Sequence, residues 1–365
     1  MPPTATKGAR ARFSNNQHSL VECGDLATCR SAPTPWAARG AWWLQKAPDT
    51  SDELDRTPLP PAGFISDAQG MDHLFNSADD VTTALRGTGY LADEALATVT
   101  FLATRLGRPI LLEGEPGTGK TALAEALAQS LDLKLIRLQC YEGIDATQAL
   151  YDWDFPRQIL HLRTVEALAR DEHHDAKALE AELFDERFLL ARPVLRALRE
   201  APCVLLIDEI DRADDEFEAF LLEVLSTWQV TIPELGTISA ATPPLVVLTS
   251  NRTRELHDAL KRRCLYHWID HPGLARELEI VRTRLPDVSA ALAEQVVALV
   301  QRLRSSGDLI KPPGVAETLD WARALETVGA TRLDAEVAAA TLGAALKYRE
   351  DSERIRASLD KLLTA

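Results

Sequence analysis

Residues 114–121 have the residue types and spacing of a loop that binds phosphate groups. In order they are Gly114, Glu115, Pro116, Gly117, Thr118, Gly119, Lys120 and Thr121. Glycines let successive backbone N–H groups turn towards an anion, and the N-terminus of a following helix adds a positive partial charge. In this G-x-x-x-x-G-K-[ST] pattern Lys120 reaches the β- and γ-phosphates of a nucleotide, and the Thr121 hydroxyl is a ligand of Mg²⁺. The pattern predicts a nucleotide site formed by Gly114 through Ala122.

The sequence on both sides of this loop supports the prediction. An apolar run at 109–112 precedes the loop, and a helical pattern follows it from 122 to 131. A strand, a glycine loop and a helix in that order are the context that a phosphate-binding loop requires. The alternative is an ordinary glycine turn before a helix.

A second chemical feature is the acid pair Asp208 and Glu209, which follows the apolar run 203–207. Such a run is typical of a central parallel strand buried on both faces. Ligands bind at the carboxyl edge of α/β sheets, where these acids would lie. Asp208 is expected to hold Mg²⁺, and Glu209 to polarise the water that attacks the γ-phosphate. The alternative is that the acids cap the next helix, predicted over 214–228.

Two further candidates follow later strands. Asn251 lies just beyond the buried run 245–249 and could orient the attacking water, although alone it indicates only a turn. The basic cluster Lys261, Arg262 and Arg263 lies after a short helix predicted over 255–262. Such a cluster is usually a solvated surface. Here it could instead supply an arginine to the γ-phosphate of a neighbouring subunit.

The elements that must position these residues indicate an α/β fold. Strands are expected at 109–112, 133–139, 203–207, 245–249 and 265–269, and a hairpin at 230–238. From Pro272 onward the pattern is helical only, which predicts a bundle of four or five helices. We therefore expect a nucleotide-binding α/β domain over 71–270 and a helical domain over 271–365.

Two helices are predicted between residues 79 and 106, interrupted by glycines at 87 and 89. A segment in this position often helps to bury adenine, which makes Tyr90 and Leu91 candidates. Plain helix packing is the alternative.

Residues 1–70 differ in character from the rest of the chain. They hold eight of the 20 prolines and no sustained helical or strand period. We expect either a flexible tail or an overextended start, with Met71 as the true first residue.

Composition limits the class of protein. The chain has 365 residues, a net charge of −15 and five cysteines without paired metal-ligand spacing. The acidic balance argues against nonspecific attraction to nucleic acid or anionic membranes. The cysteine usage and the lack of a signal-peptide pattern predict a cytoplasmic protein, and no apolar run is long enough for a membrane span.

Together these motifs resemble the AAA+ ATPases, and within them the MoxR family, closest to the CoxD-like branch linked to carbon monoxide dehydrogenase accessory proteins. The resemblance covers about residues 78–363. It rests on the loop at 114, the Leu-Leu-Ile-Asp-Glu-Ile-Asp stretch at 205 and Thr-Ser-Asn at 249. The branch is indicated by Gln-Cys-Tyr-Glu-Gly at 139, Leu-Lys-Arg-Arg-Cys at 260 and Lys-Pro-Pro-Gly-Val-Ala-Glu-Thr-Leu-Asp-Trp at 311.

The resemblance implies a P-loop fold of five parallel strands followed by a helical lid. It also implies a homo-oligomeric ring, usually hexameric, with ATP between subunits. Residues 114–121 match Walker A, and Asp208 and Glu209 match Walker B. Asn251 matches sensor 1, and Arg263 is a better match to the arginine finger than Arg262. Residues 140–162 would form an insert that faces the ring pore, together with the hairpin at 230–238.

One position departs from the family pattern. Sensor 2 normally brings a lid arginine to the nucleotide, but the matching residue here is Ala316. Lys311 and Arg323 are the candidate substitutes.

The resemblance implies Mg²⁺-dependent ATP hydrolysis that drives chaperone-like remodelling or maturation of a protein complex. The client would be a metalloenzyme, and the partner a protein with a von Willebrand factor A domain. A nucleic-acid motor of restriction-subunit type is the first alternative, and an ATP-binding switch with little turnover is the second.

Overall fold

The computed structural model describes residues 74–168 and 182–364. The segment 1–70, for which the sequence predicts a tail, lies outside the described residues. Within the described part of the chain, every helix is too short or too polar to span a lipid bilayer.

The strands are numbered in chain order. They are β1 (Ile110–Gly114), β2 (Lys134–Gln139), β3 (Tyr151–Trp153), β4 (Leu189–Ala191), β5 (Cys203–Asp208), β6 (Gln229–Ile232), β7 (Gly236–Ser239), β8 (Leu245–Ser250) and β9 (Leu265–Ile269).

The helices are numbered in the same way. They are α1 (Ala78–Gly87), α2 (Glu94–Leu106), α3 (Lys120–Ser130), α4 (Ala146–Leu150), α5 (Phe155–Leu168), α6 (Pro193–Arg199), α7 (Asp215–Thr227), α8 (Asp258–Arg263), α9 (Leu274–Arg284), α10 (Ala290–Ser305), α11 (Val315–Thr327), α12 (Ala335–Thr341) and α13 (Arg349–Thr364).

The main sheet has five strands in the order β2-β5-β8-β1-β9, and every pairing is parallel. β1, β5 and β8 are buried along their whole length, as expected for apolar strands covered on both faces. β2 lies at an edge and alternates between exposed and buried positions. The predicted five-stranded parallel sheet is confirmed.

The register brings the carboxyl ends of these strands together. Glu113 at the end of β1 is opposite Ser250 of β8 and Trp268 of β9. Gln139 at the end of β2 is opposite Asp208 at the end of β5. Because all five strands run in one direction, the polar residues that follow them meet at one edge of the sheet.

The insert after β2 is more regular than its sequence predicts. Residues 146–168 form α4, β3 and α5, and β3 pairs with β4 in an antiparallel ribbon. The predicted hairpin is present as β6 and β7, with its turn at residues 233–235. Trp153, Phe188 and Ile232 share one apolar cluster, so the insert packs against the hairpin.

The helix predicted over 255–262 begins three residues later, at Asp258. His257 caps it, because its Nδ1 accepts from the N–H of Ala259 at 3.2 Å. The preceding backbone is held instead by buried carboxylates: Thr253 N–H donates to Asp211 and His257 N–H to Glu218, each at 2.8 Å.

Three cysteines are buried in this fold, Cys140, Cys203 and Cys264. Burial raises the pKa of their thiols to about 12, about 11 and about 12 respectively. They act as small apolar groups rather than nucleophiles.

The five helices α9–α13 form the C-terminal part of the chain, around an apolar core of their own that includes Val300, Trp321 and Leu325. The boundary expected at 270/271 stays a prediction.

A buried ion pair joins three of these helices. The Glu277 side chain on α9 is fully buried and receives two hydrogen bonds from Arg304 on α10, at 2.6 and 2.7 Å. The hydroxyl of Thr318 on α11 donates to Glu277 at 2.6 Å, and Arg304 also donates to the carbonyl of Pro313 at 2.6 Å. The network fixes where the chain before α11 lies.

Removing one partner of this pair should destabilise the fold. Glu277→Ala would leave the Arg304 guanidinium buried without its anion, and we expect a loss of about 3–5 kcal/mol in the free energy of unfolding. Glu353→Ala is the matched control, because its pair with Arg349 is exposed (84% and 63%) and should change stability by at most about 0.5 kcal/mol. Urea denaturation measures both; equal losses would contradict the prediction.

Candidate active site

The loop between β1 and α3 has the backbone that phosphate binding requires. Gly117 and Gly119 have positive φ angles of 80° and 96°, which glycine adopts without steric cost. At Gly114 the constraint is space, since a Cβ would lie 2.3 Å from the carbonyl oxygen of Ile269. α3 begins at Lys120, so the free N–H groups of its first turn are at the loop.

Lys120 lies buried beneath this loop. Its Nζ donates to the carbonyls of Gly114 and Glu115, each at 2.8 Å. Burial lowers the pKa of the ammonium group, and the carboxylate of Asp211 partly offsets that effect. Lys120 is thus a positioned cation at the loop that is expected to bind phosphate.

Asp208 is the centre of a second group of contacts. Only 3% of the residue is exposed, and its Oδ1 accepts hydrogen bonds from the hydroxyls of Thr121 (3.0 Å) and Thr249. Its Oδ2 accepts from the guanidinium of Arg137 at 2.5 Å. A hydroxyl and a carboxylate oxygen side by side are the hard ligands that Mg²⁺ prefers, so the residues present fit this ion.

Glu209 is held in a fixed orientation beside Asp208. Its backbone is left-handed, with φ 56°, and its N–H donates to the hydroxyl of Thr249 at 2.9 Å. Its carboxylate accepts from Gln139 at 3.0 Å, from Arg212 at 3.0 Å and from Asn251 at 3.4 Å. These contacts fix the orientation of the Glu209 carboxylate, as is required of a general base that activates one water molecule.

Asn251 is fixed by a neighbouring carboxylate. Its N–H donates to Asp211, a residue with 2% exposure, at 3.2 Å. Thr253 donates to the same carboxylate through both its N–H and its hydroxyl. The strand tip predicted to carry Asn251 therefore holds its side chain beside Glu209.

These groups open onto a cleft of about 720 Å³ between the sheet edge and the C-terminal helices. Of the predicted site residues, the cleft is lined by Pro116, Gly117, Thr118, Gly119, Lys120, Thr121, Ala122, Asp208, Glu209 and Asn251. Gly114 and Glu115 do not line it and contribute their carbonyls to Lys120 instead. Tyr90 and Leu91 line it, as expected for adenine, and burial raises the pKa of the Tyr90 hydroxyl.

The N-terminus of α11 lies directly against the phosphate-binding loop. The N–H of Ala316 donates to the carbonyl of Gly117 at 3.1 Å. A Cβ on Gly314 would lie 2.8 Å from the carbonyl oxygen of Pro116 and 3.0 Å from the Cα of Gly117. Ala316 is thus at the loop, where a sensor 2 residue is expected, but it brings no charge there.

The candidate substitutes for sensor 2 do not line the cleft, whereas Arg276 and Arg284 of α9 do. Arg276 donates to the carbonyl of Ala92 at 2.6 Å, beside Tyr90 and Leu91. The sequence does not identify these two arginines as site residues, because the family resemblance places sensor 2 on α11. Lys311 lies before α11, where its N–H donates to Asp351 at 3.2 Å.

The histidines of this cleft are weak bases. Burial lowers the pKa of both His267 and His271, and Arg304 lowers that of His271 further. Both line the cleft as neutral rings at neutral pH.

Arg262 and Arg263 are exposed at the end of α8 and do not line the cleft of their own chain. Their carbonyls accept from the guanidinium of Arg108 at 2.5 and 3.1 Å, which fixes the backbone below them. Among residues 74–168 and 182–364, no ion pair involves either side chain. Both side chains are therefore exposed without an acidic partner in that part of the chain.

Four residues that contact Asp208 or Glu209 are not among the predicted site residues: Arg137, Gln139, Thr249 and Arg212. The sequence indicates Gln139 only as part of a branch motif, and Thr249 only as part of a strand and of the Thr-Ser-Asn stretch. Strand register is the feature that could identify Gln139, because the pairing of β2 with β5 places it opposite Asp208.

Residues 110–268 match the family described as ATPase family associated with various cellular activities (AAA). An uncharacterized protein of Staphylococcus haemolyticus is 24% identical over 220 residues, which span 59% of this chain and 75% of the relative. Uncharacterized proteins of Staphylococcus epidermidis (27%, 65% of the relative) and Staphylococcus aureus (28%, 57% of the relative) are similar over shorter stretches.

Solved structures of the Thermotoga maritima RuvB Holliday junction branch migration motor also align. One is 18% identical with a TM-score of 0.37, and covers 75% of this chain and 68% of that one. A mutant of the same motor is 19% identical with a TM-score of 0.40, and covers 80% of each chain. Residues 110–268 thus carry an AAA ATPase family domain, and the sheet around the site has the AAA+ P-loop fold.

Proposed function

We propose that the chain hydrolyses ATP in the cleft between the sheet edge and α9–α11, with Mg²⁺ as the metal. One observation carries the proposal: Lys120, Thr121, Asp208, Glu209 and Asn251 converge there from the ends of two strands, β5 and β8, and from the start of one helix, α3. That is a complete set for binding a triphosphate, holding a metal and directing a water.

In this proposal each residue has a separate task. Lys120 and the N–H groups of α3 neutralise phosphate charge. Thr121 and Asp208 would hold the Mg²⁺, which when bound neutralises the β- and γ-phosphate oxygens. Glu209 accepts the proton of the attacking water, and Asn251 orients the Glu209 carboxylate.

Arg263 completes the site from a second copy of the chain. Its exposed position outside its own cleft supports this role. We infer a homo-oligomeric ring, most simply a hexamer, in which each ATP contacts two subunits.

The biological role we propose is chaperone-like remodelling in the cytoplasm, of the type expected for the MoxR family and its CoxD-like branch. The motifs at 139–143 and 311–321 support it. So does the insert, which packs against the β6–β7 hairpin in a shared apolar cluster. The client would be a metalloenzyme under maturation, and the partner a protein with a von Willebrand factor A domain.

Glu209→Gln should abolish turnover without loss of ATP binding. The amide keeps the shape of the side chain but cannot accept the proton, so hydrolysis should fall about 100-fold or more. Steady-state phosphate release and binding of a fluorescent ATP analogue measure the two properties. Glu223→Gln, at an exposed position on α7, is the control. An ATPase rate close to wild type in Glu209→Gln would refute the assignment.

Arg263→Ala should lose hydrolysis and keep ATP binding, and the loss should be repaired in trans. Mixing Arg263→Ala with Glu209→Gln creates interfaces where the first supplies an intact base and the second an intact arginine. We expect the mixture to hydrolyse ATP although neither variant does alone, with an arginine effect of about 1,000-fold. Arg262→Ala is the matched control. No recovery on mixing would exclude a shared site.

The client assignment has its own test. In ATP, the Glu209→Gln form should hold its client, because the nucleotide state that releases it is not reached. Affinity capture with ATP is expected to retain a metalloenzyme and a protein with a von Willebrand factor A domain, and capture with ADP to lose both. Capture of duplex DNA that weakens steeply with salt would favour a nucleic-acid motor instead.

A further inference from the structure

Arg137 contacts the proposed metal ligand although nothing in the nucleotide motifs includes it. It lies on the edge strand β2, two residues before Gln139, and its Nη2 donates to Oδ2 of Asp208 at 2.5 Å. The side chain is 51% exposed, whereas that of Asp208 is 4% exposed. A surface arginine therefore reaches down to a buried carboxylate.

The two oxygens of Asp208 have different partners. Oδ1 accepts from the neutral hydroxyls of Thr121 and Thr249, which leave its charge uncompensated. Oδ2 is paired with the guanidinium of Arg137, which is the single ion pair that Asp208 makes within residues 74–168 and 182–364. A buried carboxylate is costly without a counter-charge, so Arg137 stabilises Asp208 when no metal is bound.

A divalent cation and Arg137 would neutralise the same charge. Each of them therefore weakens the binding of the other to Asp208, even where the two contact different oxygens. Moving Arg137 away from Asp208 costs little free energy, because its side chain is already half exposed and its aliphatic stem is flexible. Arg304 in the helical domain shows the contrast, because its side chain is 8% exposed and bound on three sides.

The contact also extends towards the proposed base. The same Nη2 of Arg137 donates to Oε1 of Gln139 at 2.6 Å, and Nε2 of Gln139 donates to Oε2 of Glu209 at 3.0 Å. A chain of hydrogen bonds thus joins Asp208 to Glu209 through two side chains of β2. If Arg137 leaves Asp208, Gln139 loses a partner that fixes its orientation.

We propose that Arg137 is a positioning residue that occupies Asp208 in the metal-free site and is displaced when Mg²⁺ binds, so that it sets the affinity for the metal. The inference rests on the proposed metal-dependent hydrolysis and deepens it. It assigns Arg137 a regulatory role: the site takes up Mg²⁺ only when the ion outcompetes an internal cation.

The test is a Mg²⁺ titration of protein in excess over a fluorescent ADP analogue, started in EDTA. Arg137→Met keeps the apolar stem and removes the charge, and we expect its midpoint to fall roughly three- to ten-fold below that of the wild type. Arg137→Lys should lie between the two. Binding of Mn²⁺ followed by electron paramagnetic resonance gives a second readout independent of fluorescence.

Arg212→Met is the matched control, since its side chain is 55% exposed but pairs with Glu209 instead of Asp208. Its midpoint should stay within about two-fold of the wild type, because a general loss of positive charge is weak at exposed sites. Thermal melting shows that each variant is folded; if Arg137→Met is not, the Arg137→Lys midpoint decides.

A midpoint that is unchanged or raised in the folded Arg137 variants would overturn the inference, as would an equal fall in Arg212→Met. A wild-type protein whose nucleotide binding ignores both Mg²⁺ and Mn²⁺ would instead refute the proposed metal-dependent function. The two failures are therefore distinguishable.

Discussion

The carboxylate of Asp208 is a negative charge held at the end of a strand that is buried on both sides. A charge in that position is stable only when hydrogen-bond donors and a cation surround it. The fold supplies them from three directions: Thr121 from the first turn of α3, Thr249 from β8 and Arg137 from β2. The parallel sheet is what makes this possible, because it ends every strand at the same edge.

Residues that act within one local motif could be predicted from the sequence. Lys120 and Thr121 follow from the glycine loop, and Asp208 and Glu209 from the apolar run that precedes them. The five strands could be predicted as well, because continuous apolar runs indicate the buried strands β1, β5 and β8 and alternation indicates the edge strand β2. Local periodicity is sufficient for such features.

Contacts that depend on register could not be predicted in this way. Arg137 and Gln139 reach Asp208 and Glu209 only because β2 lies beside β5, and nothing in either strand states which neighbour it takes. The start of α8 was misplaced for a similar reason. Buried Asp211 and Glu218 bind the backbone before it, and they are about 40 residues earlier in the chain. The sequence likewise does not predict that Arg276 and Arg284 of α9 line the cleft.

The contact between Gly117 and Gly314 has a mechanical consequence. The two glycine backbones are in close contact there, so the N-cap of α11, Gly314, lies directly against the loop. α11 has 13 residues and is about 20 Å long. Because the C-terminal helices share one apolar core, a tilt of α11 would move them as one body. A tilt of about 10° at the loop would move the far end of α11 by about 3 Å. A small change at the phosphate-binding loop would therefore become a larger displacement at the other end of the helix.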